Sequence, residues 1–258
     1  MFIPASVLLA QDKHNLSVEF NVNRANYKME SLNSYLGDTN YFLSIFYDKK
    51  QVRAINSGKD YNLIISYQPF NFLDVGVYVN YQSSSIQLPL RLVYVSHQYP
   101  FDSITYEGTN YIEANALSTG LSTRLYINKL MHLDQSNSWF LKKLQLSMGF
   151  SGGLGFSSLI DRASMYNSSN TTNNSNEHKK HVYKAIDFQG RVELNLGYRL
   201  GKNFFSEVGI KTGYQFLKTS PPKNYSGLFF YPEGNNSVKT INLDFSGAYY
   251  GIYLKLGK

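Results

Sequence analysis

The segment that decides the fold is Leu144-Gln-Leu-Ser-Met-Gly-Phe-Ser-Gly-Gly-Leu-Gly-Phe156, in which apolar residues alternate with polar or small ones. A period of two is typical of a β-strand, because successive side chains point to opposite faces of a sheet. One face of this strand carries Leu, Met and Phe, and the other carries only Gln, Ser and Gly. The second face lacks the Lys, Glu and Thr common on water-facing strands, and its small residues suit a crowded interior.

The same alternation recurs in eight segments, which predicts an all-β chain of eight strands. The segments are residues 16–23, 62–68, 73–82, 117–128, 144–156, 186–199, 207–216 and 241–256. In the last segment the residues predicted to face outward are Ile241, Leu243, Phe245, Ile252, Leu254 and Leu256. These residues change phase by one position, and a β-bulge among Gly247–Gly251 is predicted to absorb the change.

The links between the segments alternate between short and long. The short links are residues 69–72, 131–138 and 201–204, and the long links are residues 24–60, 83–112, 158–182 and 218–238. Such links predict an up-and-down antiparallel sheet with every long loop at one end. In the first long loop Met29, Leu32 and Leu36 have helical spacing and are predicted to pack over the barrel mouth. The third is rich in Asn, Ser and Thr and is predicted to be mobile.

The composition limits the kind of protein that this can be. Of 258 residues 43% are apolar, 16% aromatic and only 17% charged, so we expect one folded domain rather than a disordered chain. Cysteine is absent, which excludes a disulfide scaffold, a thiolate metal cage and a Cys nucleophile. The net charge of +7 comes from scattered Lys and Arg, so we expect no nucleic-acid partner.

The first ten residues differ from the rest of the chain. Residues 2–10 are an apolar stretch too short to span a membrane, and it ends in Leu8-Leu9-Ala10 before polar residues begin. This pattern resembles the hydrophobic region and cleavage site of a secretory signal peptide, and a buried first strand or a disordered tail is the alternative. We therefore expect residues 1–10 to be a signal-peptide remnant and residues 11–258 to form the barrel domain.

Alternation alone does not say which face of the sheet points outward, so two kinds of barrel are open. A soluble, lipocalin-like barrel turns its apolar face inward around a ligand, whereas an outer-membrane barrel turns that face toward lipid. Lipid outside is favoured by the small polar face of residues 144–156, by aromatic residues near strand ends, and by long loops at one end only. The predicted fold is a single closed, antiparallel, up-and-down transmembrane β-barrel of eight strands, with long extracellular loops and short periplasmic turns.

With these features the chain resembles the small eight-stranded bacterial outer-membrane barrels of the OmpA/OmpX-like class, over roughly residues 12–258. Its many tyrosines and the segment Asn23–Leu36 resemble barrels of the Bacteroidota. The chain departs from the class at its end, where Leu254-Lys-Leu-Gly-Lys258 lacks the usual terminal aromatic residue. The resemblance implies a protein of the outer membrane of Gram-negative bacteria, surrounded by outer-membrane lipid.

Charged residues of both signs fall on the polar faces of the predicted strands. The predicted lumen charge network consists of Glu19, Arg124, Arg191, Glu193, Arg199, Glu207 and Lys211, with Asp187 on the same face. Unpaired charges are costly inside a narrow barrel, so we expect these residues to pair. A turn centred near residue 202 places Glu193 opposite Lys211, and it brings Glu207 within reach of Arg199.

No catalytic, cofactor or metal site is predicted, although two groups offer suitable residue types. The residue types of a nucleophile triad are present in His97, Asp102 and Ser103. The residue types of a divalent metal site are present in Glu177, His178 and His181. The first group lacks a strand-based spacing that would assemble it, and the second lies in a polar loop with two lysines, so solvated loop residues are the favoured interpretation.

Two features of the long loops could serve recognition. Phe229, Phe230 and Tyr231 form an aromatic group between glycines, which is either a contact site for a partner or the end of a strand extended beyond the membrane. The tripeptide Asp102-Ser103-Ile104 resembles an O-glycosylation motif described for Bacteroidota, with Ser103 as the acceptor.

These observations lead to a non-enzymatic prediction: a structural or surface-interaction barrel that acts through its extracellular loops. The first alternative is an accessory subunit of a larger outer-membrane secretion or uptake complex, docked through the barrel wall. The remaining alternatives are a narrow pore, which the interior side chains oppose, and a barrel-embedded lipid-modifying enzyme.

Overall fold

The alternating segments form β-strands in the computed structural model, which describes residues 16–36, 54–95, 103–167, 177–201, 205–224, 226 and 241–257. The strands are β1 (Leu16–Asn26), β2 (Ser57–Phe70), β3 (Leu73–Val95), β4 (Ser103–Tyr126), β5 (Leu144–Asn167), β6 (Glu177–Arg199), β7 (Phe205–Phe216) and β8 (Gly247–Gly257). Each pairs antiparallel with its neighbour in sequence, and β8 pairs with β1, so the sheet closes into a barrel. The predicted eight-stranded, all-β, up-and-down barrel is confirmed.

The two faces of the sheet meet different surroundings, as the polarity of their side chains requires. On the outer face Leu121, Phe188 and Ile252 expose 67%, 69% and 63% of their surface. On the inner face polar side chains such as Ser118 and Gln189 are fully buried. An apolar exterior around a polar interior is the arrangement of a barrel in lipid, and the reverse of a soluble lipocalin-like barrel.

Two short helices occupy the longest of the connections at the short-turn end. Residues 71–72 alone join β2 to β3, but α2 (Ile127–Leu130), a 3-10 turn (Leu133–Gln135) and α3 (Trp139–Lys143) join β4 to β5. The predicted fourth strand therefore extends too far, because the chain turns into α2 directly after Tyr126. No helix in the described ranges is long and apolar enough to cross a membrane.

Four of the strands are about twice as long as a membrane requires. β3, β4, β5 and β6 have 23 or 24 residues each, whereas β1, β2, β7 and β8 have between 11 and 14. A tilted strand needs about 9–11 residues to cross a bilayer, so these four strands continue as a sheet beyond it. The prediction that residues 83–112 and 158–182 are long loops is wrong for most of their length. Residues 83–85 and 177–181 are polar and resemble loops, but Ile86, Leu88, Leu90 and Leu92 alternate and were a signal for the longer β3 that the sequence analysis did not use.

An apolar plug fills the barrel mouth at the long-loop end. The first loop enters the mouth through α1, the helical residues 30–36, and the last enters through residues 241–246. The buried apolar residues of this plug are Tyr27, Met29, Leu32, Leu36, Ile55, Leu217, Ile241, Leu243 and Phe245. They pack against apolar side chains on the inner face of the strands, namely Ala25, Leu88, Ile112, Ala114, Ala116, Leu159 and Tyr249. The helical spacing of Met29, Leu32 and Leu36 predicted this packing, and all three are essentially fully buried.

The prediction for the start of the eighth strand is wrong. Ile241, Leu243 and Phe245 do not face outward on a strand, because their side chains are buried in the plug and β8 begins only at Gly247. β8 then pairs in regular register with β7 through Gly247–Gly251, so no bulge lies there. The change of phase marks the point where the chain leaves the plug and joins the barrel wall.

Several sequence predictions fall on residues outside the described ranges. These are the signal-peptide remnant at residues 1–10, His97, Asp102, the Asn-rich run 168–176, and the aromatic group Phe229, Phe230 and Tyr231. Ser103, Glu177 and His178 lie on described strands, but their side chains are not described.

The orientation of the outer face predicts a strong penalty for charge in the middle of the wall. Leu194 on β6 is half exposed, so replacing it with Arg should destabilise the barrel by about 2–4 kcal/mol in lipid. Val182→Arg, on the same face of β6 but beyond the lipid-facing part, is the matched control and should cost much less. Unfolding in urea from phospholipid vesicles measures both, and equal costs would contradict the assignment of the faces.

The plug predicts a second effect on stability, at residues that touch no lipid. Leu243 is fully buried among other plug residues, so Leu243→Ala should lower the free energy of unfolding by about 2–5 kcal/mol. Leu130→Ala removes the same atoms from a leucine that is 48% exposed at the short-turn end, and it should be nearly neutral. If both variants unfold at the wild-type urea concentration, the plug does not stabilise the barrel.

Candidate functional site: a charged lumen below the apolar plug

Four charged side chains meet in the middle of the lumen and balance each other in sign. Lys211 Nζ lies 2.9 Å from Glu19 and 3.2 Å from Glu193, and Arg124 pairs with the same two carboxylates. All four residues are at most 7% exposed. The Tyr249 hydroxyl completes the group by donating to Glu193 at 2.9 Å. Each carboxylate therefore has two cationic partners, which offsets the cost of removing it from water.

A second ion pair lies closer to the plug. Arg191 donates to Asp60 at 2.7 Å, and Asp60 also accepts from Asn23 at 3.1 Å and from Asn80 at 2.8 Å. The guanidinium of Arg191 lies over the ring of Tyr249, 4.2 Å from its centroid. The Asp60 carboxylate thus has three donors, and Arg191 has both an anion and an aromatic face.

A third group lies toward the short-turn end of the lumen. Lys255 donates to Asp74 at 2.5 Å and to the Tyr126 hydroxyl at 2.6 Å, and Tyr126 itself donates to Asp74 at 2.8 Å. Glu207 is also buried at this end and accepts a hydrogen bond from Tyr253. Ion pairs and tyrosine hydroxyls therefore fill the lumen from the short turns to its middle.

Uncharged amides form the layer between the ion pairs and the plug. Gln82 and Gln215 exchange hydrogen bonds of 2.8 and 3.0 Å across the barrel, and Gln215 also donates to the Phe245 carbonyl at 2.6 Å. Tyr78 donates to Gln189 at 3.3 Å on another side of the lumen. Because Phe245 belongs to the plug, these contacts join the polar lumen to the apolar mouth.

Small residues on the inner face make room for these large side chains. A Cβ atom at Gly149 would come within 2.6 Å of the Glu193 side chain, and one at Gly213 within 2.8 Å of the Tyr249 ring. The Gly and Ser residues of the decisive segment therefore reflect crowding inside the barrel. The cavity lined by Glu19, Arg124 and Glu193 has a volume of about 20 Å³, which is room for a single water molecule.

The structure brings most of the predicted network together, but not in the predicted register. Glu19, Arg124, Arg191, Glu193, Glu207 and Lys211 are all buried in the lumen. Lys211 lies directly opposite Asn195, and it reaches Glu193 diagonally. The turn after β6 thus sets a register two residues away from the predicted one, and long side chains bridge the difference.

Two residues that were predicted on the polar inner face, Arg199 and Asp187, do not join the lumen network. Arg199 lies directly opposite Glu207, but it is exposed at the short-turn end, and Glu207 bonds to Tyr253 instead. Asp187 is half-buried beyond the lumen network and accepts from the backbone and hydroxyl of Ser220. Arg199 is the last residue of β6, where its long side chain can reach solvent rather than remain in the lumen.

Sequence reasoning missed three charged residues of the lumen: Asp60, Asp74 and Lys255. The sequence did contain a signal for Asp60, because Asp60 lies on the same face of β2 as the polar residues Asn62 and Ser66 that follow it. Asp74 and Lys255 also alternate with apolar neighbours, so they carried the same signal as the predicted Glu19 and Arg124. Strand β8 pairs with β1 and not with β3. Lys255 reaches Asp74 on β3 because the lumen is narrow enough for a side chain to cross it.

The described histidines, which could serve in catalysis or metal binding, lie apart from the lumen network. His132 is exposed in the β4–β5 connection, and His181 is exposed on β6 directly opposite Asp161. Burial raises the pKa of the Asp161 carboxyl, which lies beyond the membrane-spanning part of β5. Across the part of the chain that the structure describes, no three His, Asp or Glu side chains gather in a group that could hold a metal ion.

Comparisons with known proteins report similarity to solved outer-membrane barrels at low identity. The attachment invasion locus protein Ail of Yersinia pestis is 9% identical, over 95% of this chain and 98% of that one, with a TM-score of 0.33. CarO2 of Acinetobacter baumannii is 9% identical, over 94% of this chain and 100% of that one, with a TM-score of 0.32. The outer membrane protease OmpT of Escherichia coli is 9% identical, over 96% of this chain and 97% of that one, with a TM-score of 0.33. No family model and no curated protein matches the chain.

At TM-scores of this size the likeness carries no functional argument, and the barrel's own construction determines its surroundings. Every strand pairs on both sides, so no backbone edge of the closed ring faces lipid. The outer face is apolar and the inner face is ion-paired, which is how barrels of the outer membrane are built. The chain is a transmembrane β-barrel.

The shared partners in the lumen predict non-additive mutational effects. Lys211→Met leaves Glu19 and Glu193 with Arg124 as their remaining cation, and it should destabilise the barrel by about 3–5 kcal/mol. Adding Glu193→Gln removes one of the carboxylates, so the double variant should lose less than the sum of the two single losses.

Urea unfolding in detergent measures this cycle, with Lys218→Met as the control at an exposed lysine beyond β7. Additive losses, or a Lys211→Met variant as stable as the control, would mean that the charges are solvated separately.

Proposed function

We propose that this outer-membrane barrel is a non-enzymatic, non-conducting scaffold that presents its extracellular end to a partner. The observation that carries the proposal is the filled interior. Three layers follow one another along the barrel axis. They are the ion pairs, which include Lys211, the amide layer, which includes Gln215, and the plug, which includes Phe245. Such an interior supports rigidity rather than transport, because an eight-stranded barrel has room only for its side chains.

The extracellular end offers a large surface that membrane anchoring does not require. β3–β6 extend beyond the lipid-facing wall, and Leu88, Ile112 and Leu159 on their inner face pack against the plug. We expect the long connections at this end to supply the contacts with a protein partner, and in particular the aromatic group Phe229, Phe230 and Tyr231 between β7 and β8. Membership of the OmpA/OmpX-like class and origin in Gram-negative Bacteroidota are parts of the same proposal, supported by the strand number and the tyrosine content.

An accessory subunit docked through the barrel wall is the second candidate, and one observation favours it. Gly152 and Gly190 lie directly opposite each other on the outer face, beside the exposed rings of Phe188 and Phe216. A gap between large side chains lets a neighbouring transmembrane element approach closely, because lipid offers no hydrophobic driving force and contact area decides association.

A pore and a lipid-modifying enzyme are less well supported by the side chains. Reconstituted wild-type barrel should give no sustained single-channel current in a planar bilayer, whereas a general porin measured in parallel should conduct. A steady current that rises with salt concentration would favour the pore. Release of fatty acid or a changed lipid in the same vesicles would favour the enzyme.

Co-purification from native membranes separates the two interaction proposals. A variant with Phe229, Phe230 and Tyr231 replaced by Ser should lose its partner if the loops bind it, while folding normally. Gly190→Leu should lose the partner instead if the wall binds it, with Gly190→Ala as the control, since a Cβ there meets only the Phe188 ring at 3.6 Å. If both variants retain all the proteins that the wild type retains, neither surface is the site of interaction.

A further inference from the structure

Two basic side chains lie side by side on the outer wall, at the end of β1 and β2 nearest the long loops. Arg24 on β1 is the direct cross-strand partner of Lys59 on β2, and both side chains are exposed. Directly opposed residues have Cβ atoms about 5 Å apart, and like charges placed directly opposite each other across two strands are destabilising. This arrangement is unfavourable unless an anion lies between them.

The protein itself supplies no such anion among its described residues. Arg24 donates to the Ser57 hydroxyl at 3.3 Å, and no described carboxylate forms an ion pair with Arg24 or Lys59. The carboxylate of neighbouring Asp60 points into the lumen, where Arg191 holds it. The outer wall here differs from β4 and β5, where Arg162 has Glu113 within 3.9 Å.

The pair lies where the wall changes from apolar to polar. Directly toward the membrane from Arg24 and Lys59, Val22 and Tyr61 occupy the next outward-facing row and are 53% and 42% exposed. On the other side of Arg24 its partner on β8 is Tyr250, which is 56% exposed. Two cations between tyrosines, directly above lipid-facing side chains, stand at the depth of lipid headgroups.

We propose that Arg24 and Lys59, flanked by Tyr61 and Tyr250, bind the phosphate group of a lipid in the extracellular leaflet. The phosphate accepts hydrogen bonds from both cations and relieves their repulsion, while the acyl chains lie along Val22 and the rest of the apolar wall. The guanidinium and ammonium groups recognise the negative charge, and the tyrosine hydroxyls can donate to the remaining phosphate oxygens. The site depends on the wall alone, so it stands whether or not the loops bind a partner.

The test compares binding of lipid A with binding of its dephosphorylated form to the barrel in phosphatidylcholine nanodiscs. Native mass spectrometry counts the retained lipid, and circular dichroism gives the unfolding temperature. Wild type should retain lipid A and gain in unfolding temperature, whereas the dephosphorylated lipid should do neither. R24Q–K59Q should weaken retention about fivefold for each cation removed.

Two further variants keep the result interpretable. R24E places a carboxylate opposite Lys59, so it should be at least as stable as wild type in phosphatidylcholine alone and yet lose the response to lipid A. K180Q–K218Q removes the same charge from two other exposed lysines on the extracellular side, and it should bind lipid A like wild type.

Equal losses in K180Q–K218Q and R24Q–K59Q would overturn the proposal in favour of a general charge effect. Equal retention of the two lipid forms by wild type would overturn it as well. Displacement of lipid A by millimolar inorganic phosphate would show a site for a free anion rather than for a lipid.

Discussion

The narrow interior of a closed eight-stranded sheet is the constraint on which the rest of the structure depends. Because the wall admits no water from its lipid side, any charge on the inner face has to find its partner within the lumen. The result is the group of Glu19, Glu193, Arg124 and Lys211, where each charge touches two of opposite sign. The same narrow interior explains the glycines on the inner wall, since the absence of a side chain at Gly149 leaves the volume that Glu193 fills.

The interior changes its chemistry along the axis, and each layer matches what surrounds it. Ion pairs lie toward the short turns and the middle of the barrel, where neighbouring strands supply the partners. The plug lies where β3–β6 extend beyond the shorter strands, so the wall there is incomplete and the first and last loops close it with apolar side chains. Gln215 joins the two regions, because it contacts both Gln82 across the lumen and the Phe245 backbone in the plug.

The outer surface is as differentiated as the interior. A wall of Leu, Val, Ile and Phe meets lipid, and above it the four long strands carry polar side chains such as Asn115 and Arg162. Arg162 on this outer surface pairs with Glu113, whereas Arg24 and Lys59 form no ion pair with a described carboxylate and Arg24 donates to Ser57. The two recognition surfaces that we propose are therefore separate: one is the wall at headgroup depth, and the other is the loops and sheet above the membrane.

The sequence alone was enough for the strands of the membrane part, their inward and outward faces and their up-and-down order. These properties are local, since a strand in lipid repeats its polarity every two residues and the short turns join neighbours. The same reasoning missed the extension of β3–β6, because polar stretches such as residues 83–85 and 177–181 resemble loops in composition and the alternation of Ile86, Leu88, Leu90 and Leu92 was not used.

Contacts across the lumen were decided by the tertiary structure. Arg199 shares the polar phase of Glu193 and yet reaches solvent, while Asp60, predicted to lie in a loop, is fully buried beside Arg191. Likewise Ile241, Leu243 and Phe245 have the alternation of a strand but fill the mouth. Alternation specifies only the side of the sheet on which a residue lies. Its partner depends on the strand register and on the closure of the ring, which bring together side chains more than a hundred residues apart.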